Sequence, residues 1–187
     1  MNISDNMTVV IVVAVAMFLL LGVVVLIKPL RNLFDRFRVS RAIRRLGTES
    51  LSNVVISDGM DGHVFIEHLV LTPAKILVVS VRRYSGAIFA AENMDMWAQV
   101  TDGGSYKFPN PLHEIETAMG AVKSHLPDAA VSGIILFGRD STFPKGKPEG
   151  VMHISEIAKL PVPARDTAVA EPVRKAWERL LSLKTSS

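Results

Sequence analysis

The hydrophobic pattern begins with nineteen consecutive residues, "VVIVVAVAMFLLLGVVVLI" (Val9–Ile27), that carry neither a charge nor a polar side chain. As a helix such a run rises about 28 Å, close to the hydrocarbon thickness of a bilayer. A soluble core helix would keep a polar face, and this run has none. A signal peptide would open on a positive flank, whereas the flank here holds Asp5 and no Lys or Arg. The pattern predicts one transmembrane helix over residues 9–28, preceded by an extracytoplasmic tail over 1–8.

The pattern then turns amphipathic. In "KPLRNLFDRFRVSRAIRRLG", Leu30, Leu33, Phe34 and Phe37, then Ile43 and Leu46, recur at helical spacing with arginines between them. This predicts a basic juxtamembrane helix over 29–47, with Gly47 as the residue after its last turn.

From there the period is that of strands. "SNVVIS" (52–57), "HVFIEHLVL" (63–71), "ILVVSVR" (76–82) and the shorter "GAIFAA" (86–91) read as strands, with turns at "DGMDG" (58–62) and "TPAK". The second and third are apolar on both faces, which places them in the middle of a sheet covered on both sides. "WAQV" leads into a hairpin-like turn, "TDGGS" (101–105). Asn110 and Pro111 suit the N-cap and first position of a helix. Leu112, Ile115, Met119, Val122 and Leu126 form its apolar stripe. "VSGIILFG" (131–138) reads as another buried strand, "DSTFPKGKPEG" (140–150) as a loop and "PVPA" (161–164) as a stiff connector. Pro172 opens a last helix with Val173, Ala176, Trp177, Leu180 and Leu183 on one face. The order predicts an α/β fold, a mixed central sheet of about five strands flanked by helices. The domain is expected over 48–160, and the connector with the C-terminal helix over 161–187.

Charge refines this picture. Seven basic residues and one acid lie between Lys28 and Arg45, so that segment carries +6 of a chain whose net charge is +3, and the remainder is −3. The high isoelectric point therefore belongs to the juxtamembrane segment, and the balance elsewhere does not suggest a general nucleic-acid-binding surface. The positive flank places residues 28 onward in the cytoplasm. Arg36, Arg38, Arg41, Arg44 and Arg45 are expected to contact anionic headgroups, at about 1 kcal/mol each near the surface. There is no cysteine, which excludes disulfides and thiolate metal sites. The five histidines have no metal-ligand spacing, and no glycine-rich phosphate loop or nucleophile elbow is present.

One constellation carries chemistry. Ser80 and Arg82 stand at i and i+2 on a strand and share a face. Glu67 stands on the preceding strand. An acid opposite an acid–x–base pair is the layout that holds a divalent cation beside a phosphodiester and activates a water. Here the middle acid is replaced by a neutral hydroxyl, and an arginine is not a proton acceptor. Glu67 is expected to pair with Arg82, because a buried carboxylate needs a partner. Glu49, Glu92, Asp95 and Glu114 are the other acids near enough in sequence to supplement the site. Glu114 lies about 110° round the helix from the apolar stripe.

The run "IEHLVLTPAKILVVSVRRYSGAIF", followed by Trp97 and "FPNPLHEIETAMGAVKSHL", resembles the nuclease-related domain, from about Gly47 to Phe137. That resemblance implies a restriction-endonuclease-like fold with metal-dependent nuclease chemistry. It places the family's aspartate at Glu67, its glutamate–x–lysine at Ser80–Val81–Arg82, its helix glutamine at Glu114 and an upstream glutamate at Glu49. All but the last are substitutions. The expectation is a single-pass cell-membrane protein with a catalytically impaired cytoplasmic domain. It would need no cofactor and would bind nucleic acid or a protein partner at the membrane face. One alternative is an active divergent nuclease with Mg²⁺ or Mn²⁺ held weakly at Glu67. The other is a membrane scaffold that docks partner proteins. The active alternative requires two carboxylates within about 5 Å of one point.

Overall fold

A computed structural model of the chain describes residues 16–18, 37–59, 62–161 and 167–185. The expected membrane span lies outside the described residues except for 16–18, which are helical, and most of the 161–164 connector lies outside them as well. Among the described residues no helix is long and apolar enough to cross a membrane. Contacts divide the chain into Met1–Arg41 and Ala42–Ser187, and the second unit carries the sheets.

Residues 37–46 are helical and Gly47 follows them. Gly47 ends the helix where sequence placed it, though without a positive φ. Its role is close approach, since a Cβ there would stand 2.1 Å from the Leu71 carbonyl oxygen. The neighbouring Thr48 N–H donates to that same oxygen at 2.8 Å.

Among the described residues nine strands and three helices follow: β1 (Glu49–Ser57), β2 (His63–Leu71), β3 (Ile76–Arg82), β4 (Gly86–Phe89), β5 (Met96–Thr101), β6 (Gly104–Pro109), α1 (Pro111–His125), β7 (Val131–Phe137), β8 (Ser141–Thr142), β9 (Val151–His153), α2 (Ile154–Ile157) and α3 (Glu171–Thr185). The expected five-stranded sheet is present in the order β1-β2-β3-β7-β9, antiparallel through β3 and parallel beyond it. One sheet is not the whole fold, however. A second, four-stranded sheet runs β6-β5-β4-β8, and β8 lies inside the stretch read as loop. Its strands are short and mostly half-exposed, so they show little periodicity.

The core lies between the main sheet and α1. Ile115, Ala118, Ala121 and Val122 face strands that bring Leu69, Leu71, Ile76, Val78 and Ile135. Gly133 on β7 lets the helix come close, because a Cβ there would be 2.9 Å from Ile115 and 3.0 Å from Met119. An aromatic cluster joins the two sheets: Trp97 stacks on Phe137, and Tyr84 stacks on Phe108 at 4.2 Å.

Helix α1 starts where sequence placed it. Asn110 is 2 % exposed, and its side-chain oxygen accepts from the Leu112 N–H at 2.9 Å. Its amide nitrogen donates to the carbonyls of Glu92 and Met94. A capping residue is thus also a brace that fixes the first turn of α1 against the β4–β5 connection. Helix α3 packs on the domain, with Val173, Ala176, Trp177 and Leu180 buried in the same core.

Candidate functional site

The site begins with a break in β1 and β2. Inward positions step by three residues rather than two, from Leu51 to Val54 on β1 and from Leu69 to Ile66 on β2. Between them stand Asn53 and Glu67, and neither appears in the ladder that pairs Ser52 with His68 and Val54 with Ile66. Asn53 takes the left-handed conformation, φ 54°, which asparagine tolerates better than most residues. The β2–β3 ladder also stops at His68–Val79. Glu67 is therefore released from regular pairing, and its side chain turns toward β3.

There it replaces the missing ladder bonds. Glu67 Oε2 accepts from the Val81 N–H at 2.5 Å and from the Ser80 hydroxyl at 2.9 Å. Ser80 Oγ in turn accepts from Arg82 Nη1 at 2.7 Å, and Arg82 Nη1 lies 3.7 Å from Glu67 Oε2. The other arm of the guanidinium, Nη2, donates to Glu114 Oε2 in the first turn of α1. Exposure grades along the chain of contacts: the side chains of Arg82, Glu67 and Glu114 are 16 %, 35 % and 66 % accessible.

The structure thus brings together Glu67, Ser80, Arg82 and Glu114. It does not bring Glu49 to them. Glu49 pairs with Leu71, four residues along β2 from Glu67, about 13 Å at the rise of a strand. Its carboxylate accepts from Arg174 and from the Trp177 indole N–H on α3. The Arg174 hydrogen bond holds the Glu49 carboxyl below its ordinary range, partial burial opposes that, and the indole bond reinforces it. Glu92 does other work as well, its Oε1 accepting from the Glu149 N–H at 3.1 Å.

Sequence reasoning also missed the contacts of His68 and of the Val81 N–H. His68 Nδ1 and Ser52 Oγ share a hydrogen bond of 2.8 Å across β1–β2. Their cross-strand register was the only signal for it. Burial lowers the His68 pKa, the Glu67 carboxylate raises it, and Arg83 lowers it further. The Val81 N–H is the other missed partner, and no side-chain pattern announces it. Of the remaining histidines, His125 donates to the Ser57 carbonyl and His153 to that of Gly138.

Two carboxylates do meet at one place, as an active site would require, but they meet around a guanidinium. A small divalent cation prefers near-octahedral oxygen coordination. Glu67 Oε2 already takes two hydrogen bonds and an ion pair, and Ser80 offers only a neutral hydroxyl whose proton is turned to Glu67. Among the described residues no three His, Asp or Glu side chains converge on a point. The cavity between Glu67, Ser80 and Glu114, walled by Phe65, Ile115 and Ala118, measures about 10 Å³, space for about one water. These residues do not fit a resident divalent ion.

The family model described as the nuclease-related domain matches residues 32–138, more than half of the chain. No curated protein and no solved structure matches. The matched range contains Glu67, Ser80, Arg82 and Glu114 and stops before β8, β9 and the two helices that follow.

Proposed function

The chain belongs to the nuclease-related domain family, and from that membership we propose that it is a membrane-anchored member with an impaired catalytic site that binds ligands at the cytoplasmic membrane face. The observation that carries the impairment is the Ser80 hydroxyl. It stands where the resemblance puts a metal-binding acid, and it gives its proton to Glu67 instead of offering a second negative charge. The anchor rests on the apolar run Val9–Ile27 and the arginines that follow it.

A phosphate-bearing ligand is the favoured class, and nucleic acid is its natural source. Arg83 and Arg139 are exposed just past the carboxyl ends of the adjacent parallel strands β3 and β7. Neither forms an ion pair among the described residues. A protein partner is the second reading, favoured by Val55 and Phe65. These cross-strand neighbours on β1 and β2 are 51 % and 57 % exposed and make one apolar pair on the outer face of the hairpin.

The test is incubation of the full chain with labelled single- and double-stranded DNA and RNA in Mg²⁺ or Mn²⁺, beside a Glu67→Ala control. Retention without cleavage, weakened by Arg83→Ala with Arg139→Ala, supports the reading. Metal-dependent cleavage that disappears in the control overturns the impairment. Absence of retention, with the chain captured through a Val55 and Phe65 surface, moves the ligand to the protein class.

A further inference from the structure

We infer that Arg82 is a built-in cation: its guanidinium takes the place a divalent ion has in a working site, and clamps the first turn of α1 to β2 and β3. The inference rests on the reading of an impaired site but adds what fills it.

Three observations lead there. The guanidinium reaches both carboxylates of the cluster, Glu67 through Nη1 and Glu114 through Nη2. A planar fork with donors on two arms can bridge two acids in this way, whereas a lysine ammonium would be a single point of charge. Next, Ser80 is matched to the arginine. Its oxygen accepts from Arg82 while its proton goes to Glu67, so the hydroxyl joins the pair. A carboxylate at position 80 would face Glu67 directly and repel it. The four departures from the family pattern, at Glu67, Ser80, Arg82 and Glu114, therefore make one arrangement, in which each side chain needs the others. Finally, the cavity beside the cluster has room for about one water. A divalent ion would enter only by displacing the guanidinium, and would then stand beside its positive charge.

The arrangement also ties elements together. Glu67 reaches β3 where the β2–β3 ladder has stopped, and Glu114 belongs to the turn that Asn110 braces. The cluster so holds the helix to the two central strands across the former catalytic opening.

The consequence is counterintuitive. Removing the arginine leaves two uncompensated carboxylates facing one small space, and this should create affinity for a divalent cation. The experiment measures Mn²⁺ binding to the full chain by loss of the free-ion electron paramagnetic resonance signal, and by the rise in melting temperature with added MnCl₂. The wild type is compared with Arg82→Gln and with Arg82→Met, whose uncharged chain fills the same slot if glutamine does not fold. The wild type is expected to leave the signal and the melting temperature unchanged up to about 1 mM metal. The variants are expected to bind at least about tenfold more tightly than the wild type, with a melting temperature that climbs with metal. Adding Glu114→Gln to either variant is expected to abolish the gain.

Mn²⁺ binding by the wild type that is lost on Glu114→Gln overturns the inference. So does a folded Arg82 variant that gains no affinity. The two readings fail separately. Wild-type metal binding at these carboxylates without cleavage overturns the built-in cation and leaves the impaired site standing. Cleavage with no metal held by Glu67 and Glu114 does the reverse.

Discussion

Replacing Glu67 by alanine is expected to destabilise the fold. The side chain has three partners, and each contributes. The Val81 N–H is the largest, because Val81 is 8 % exposed and its donor bonds Glu67. Leaving such a donor unmet costs about 1–3 kcal/mol. The Ser80 hydroxyl can turn elsewhere, so it loses less than the roughly 1.5–3 kcal/mol of a bond to an ionised group, about 1 kcal/mol. The ion pair with Arg82, 3.7 Å long, has a carboxylate that water reaches, and screening leaves it below about 1 kcal/mol. Together these give roughly 2–5 kcal/mol. In a domain of this size that is a fall in melting temperature of about 5–15 °C. Glu67→Gln keeps an oxygen for Val81 and Ser80 and should cost only about 1 kcal/mol. Circular dichroism during thermal and urea unfolding of the full chain in detergent measures both. An alanine variant as stable as the wild type, or more stable, would refute the reasoning. That is the behaviour of an acid kept for catalysis at the expense of stability.

Other consequences concern the rest of the chain. Trp177→Ala should cost about 3–5 kcal/mol in the same unfolding assay, the usual cost of emptying a core aromatic site. Trp177 is 1 % exposed and anchors α3 to Glu49, so an unchanged midpoint would mean that α3 does not pack there. His68 sets a pH dependence. Its folded pKa lies below the ordinary 6.5 through burial, opposed by Glu67 and aided by Arg83, so the unfolded chain takes up the proton first. Its contribution is complete above about pH 6.5 and is lost as pH falls from there through the folded pKa. His68→Gln should flatten that part of the stability profile, and an identical slope in the variant would contradict it. Glu49 acts in a lower window, because its folded pKa is depressed by Arg174. Its stabilisation is present above the ordinary value of 4.5 and fades as pH falls through the folded value. Arg174→Ala should remove that acid-side slope.

Much of the site was legible because strand geometry is simple. The i, i+2 spacing of Ser80 and Arg82 put both on one face, and Glu67 fell on the neighbouring strand, where the structure has it. Glu114 was a candidate from its angle on the helix, and that angle brings it to Arg82. The break at Asn53 and Glu67 was not legible. A strand whose alternation resets looks, in sequence, like a shorter strand, which is why β1 was read from Ser52 rather than Glu49. Glu49 went astray for a different reason. Its partners Arg174 and Trp177 lie more than a hundred residues away, and no local pattern tells where a last helix docks. The second sheet escaped because β8 has two residues and pairs with β4 across a long loop.

The most direct test is a crystal of the protein soaked in Mn²⁺, standing in for Mg²⁺, with the anomalous difference map inspected at Glu67 and Glu114. The account predicts no peak there and the Arg82 guanidinium between the two carboxylates. A manganese ion about 2.1 Å from oxygens of both acids, with Arg82 turned away, would contradict it.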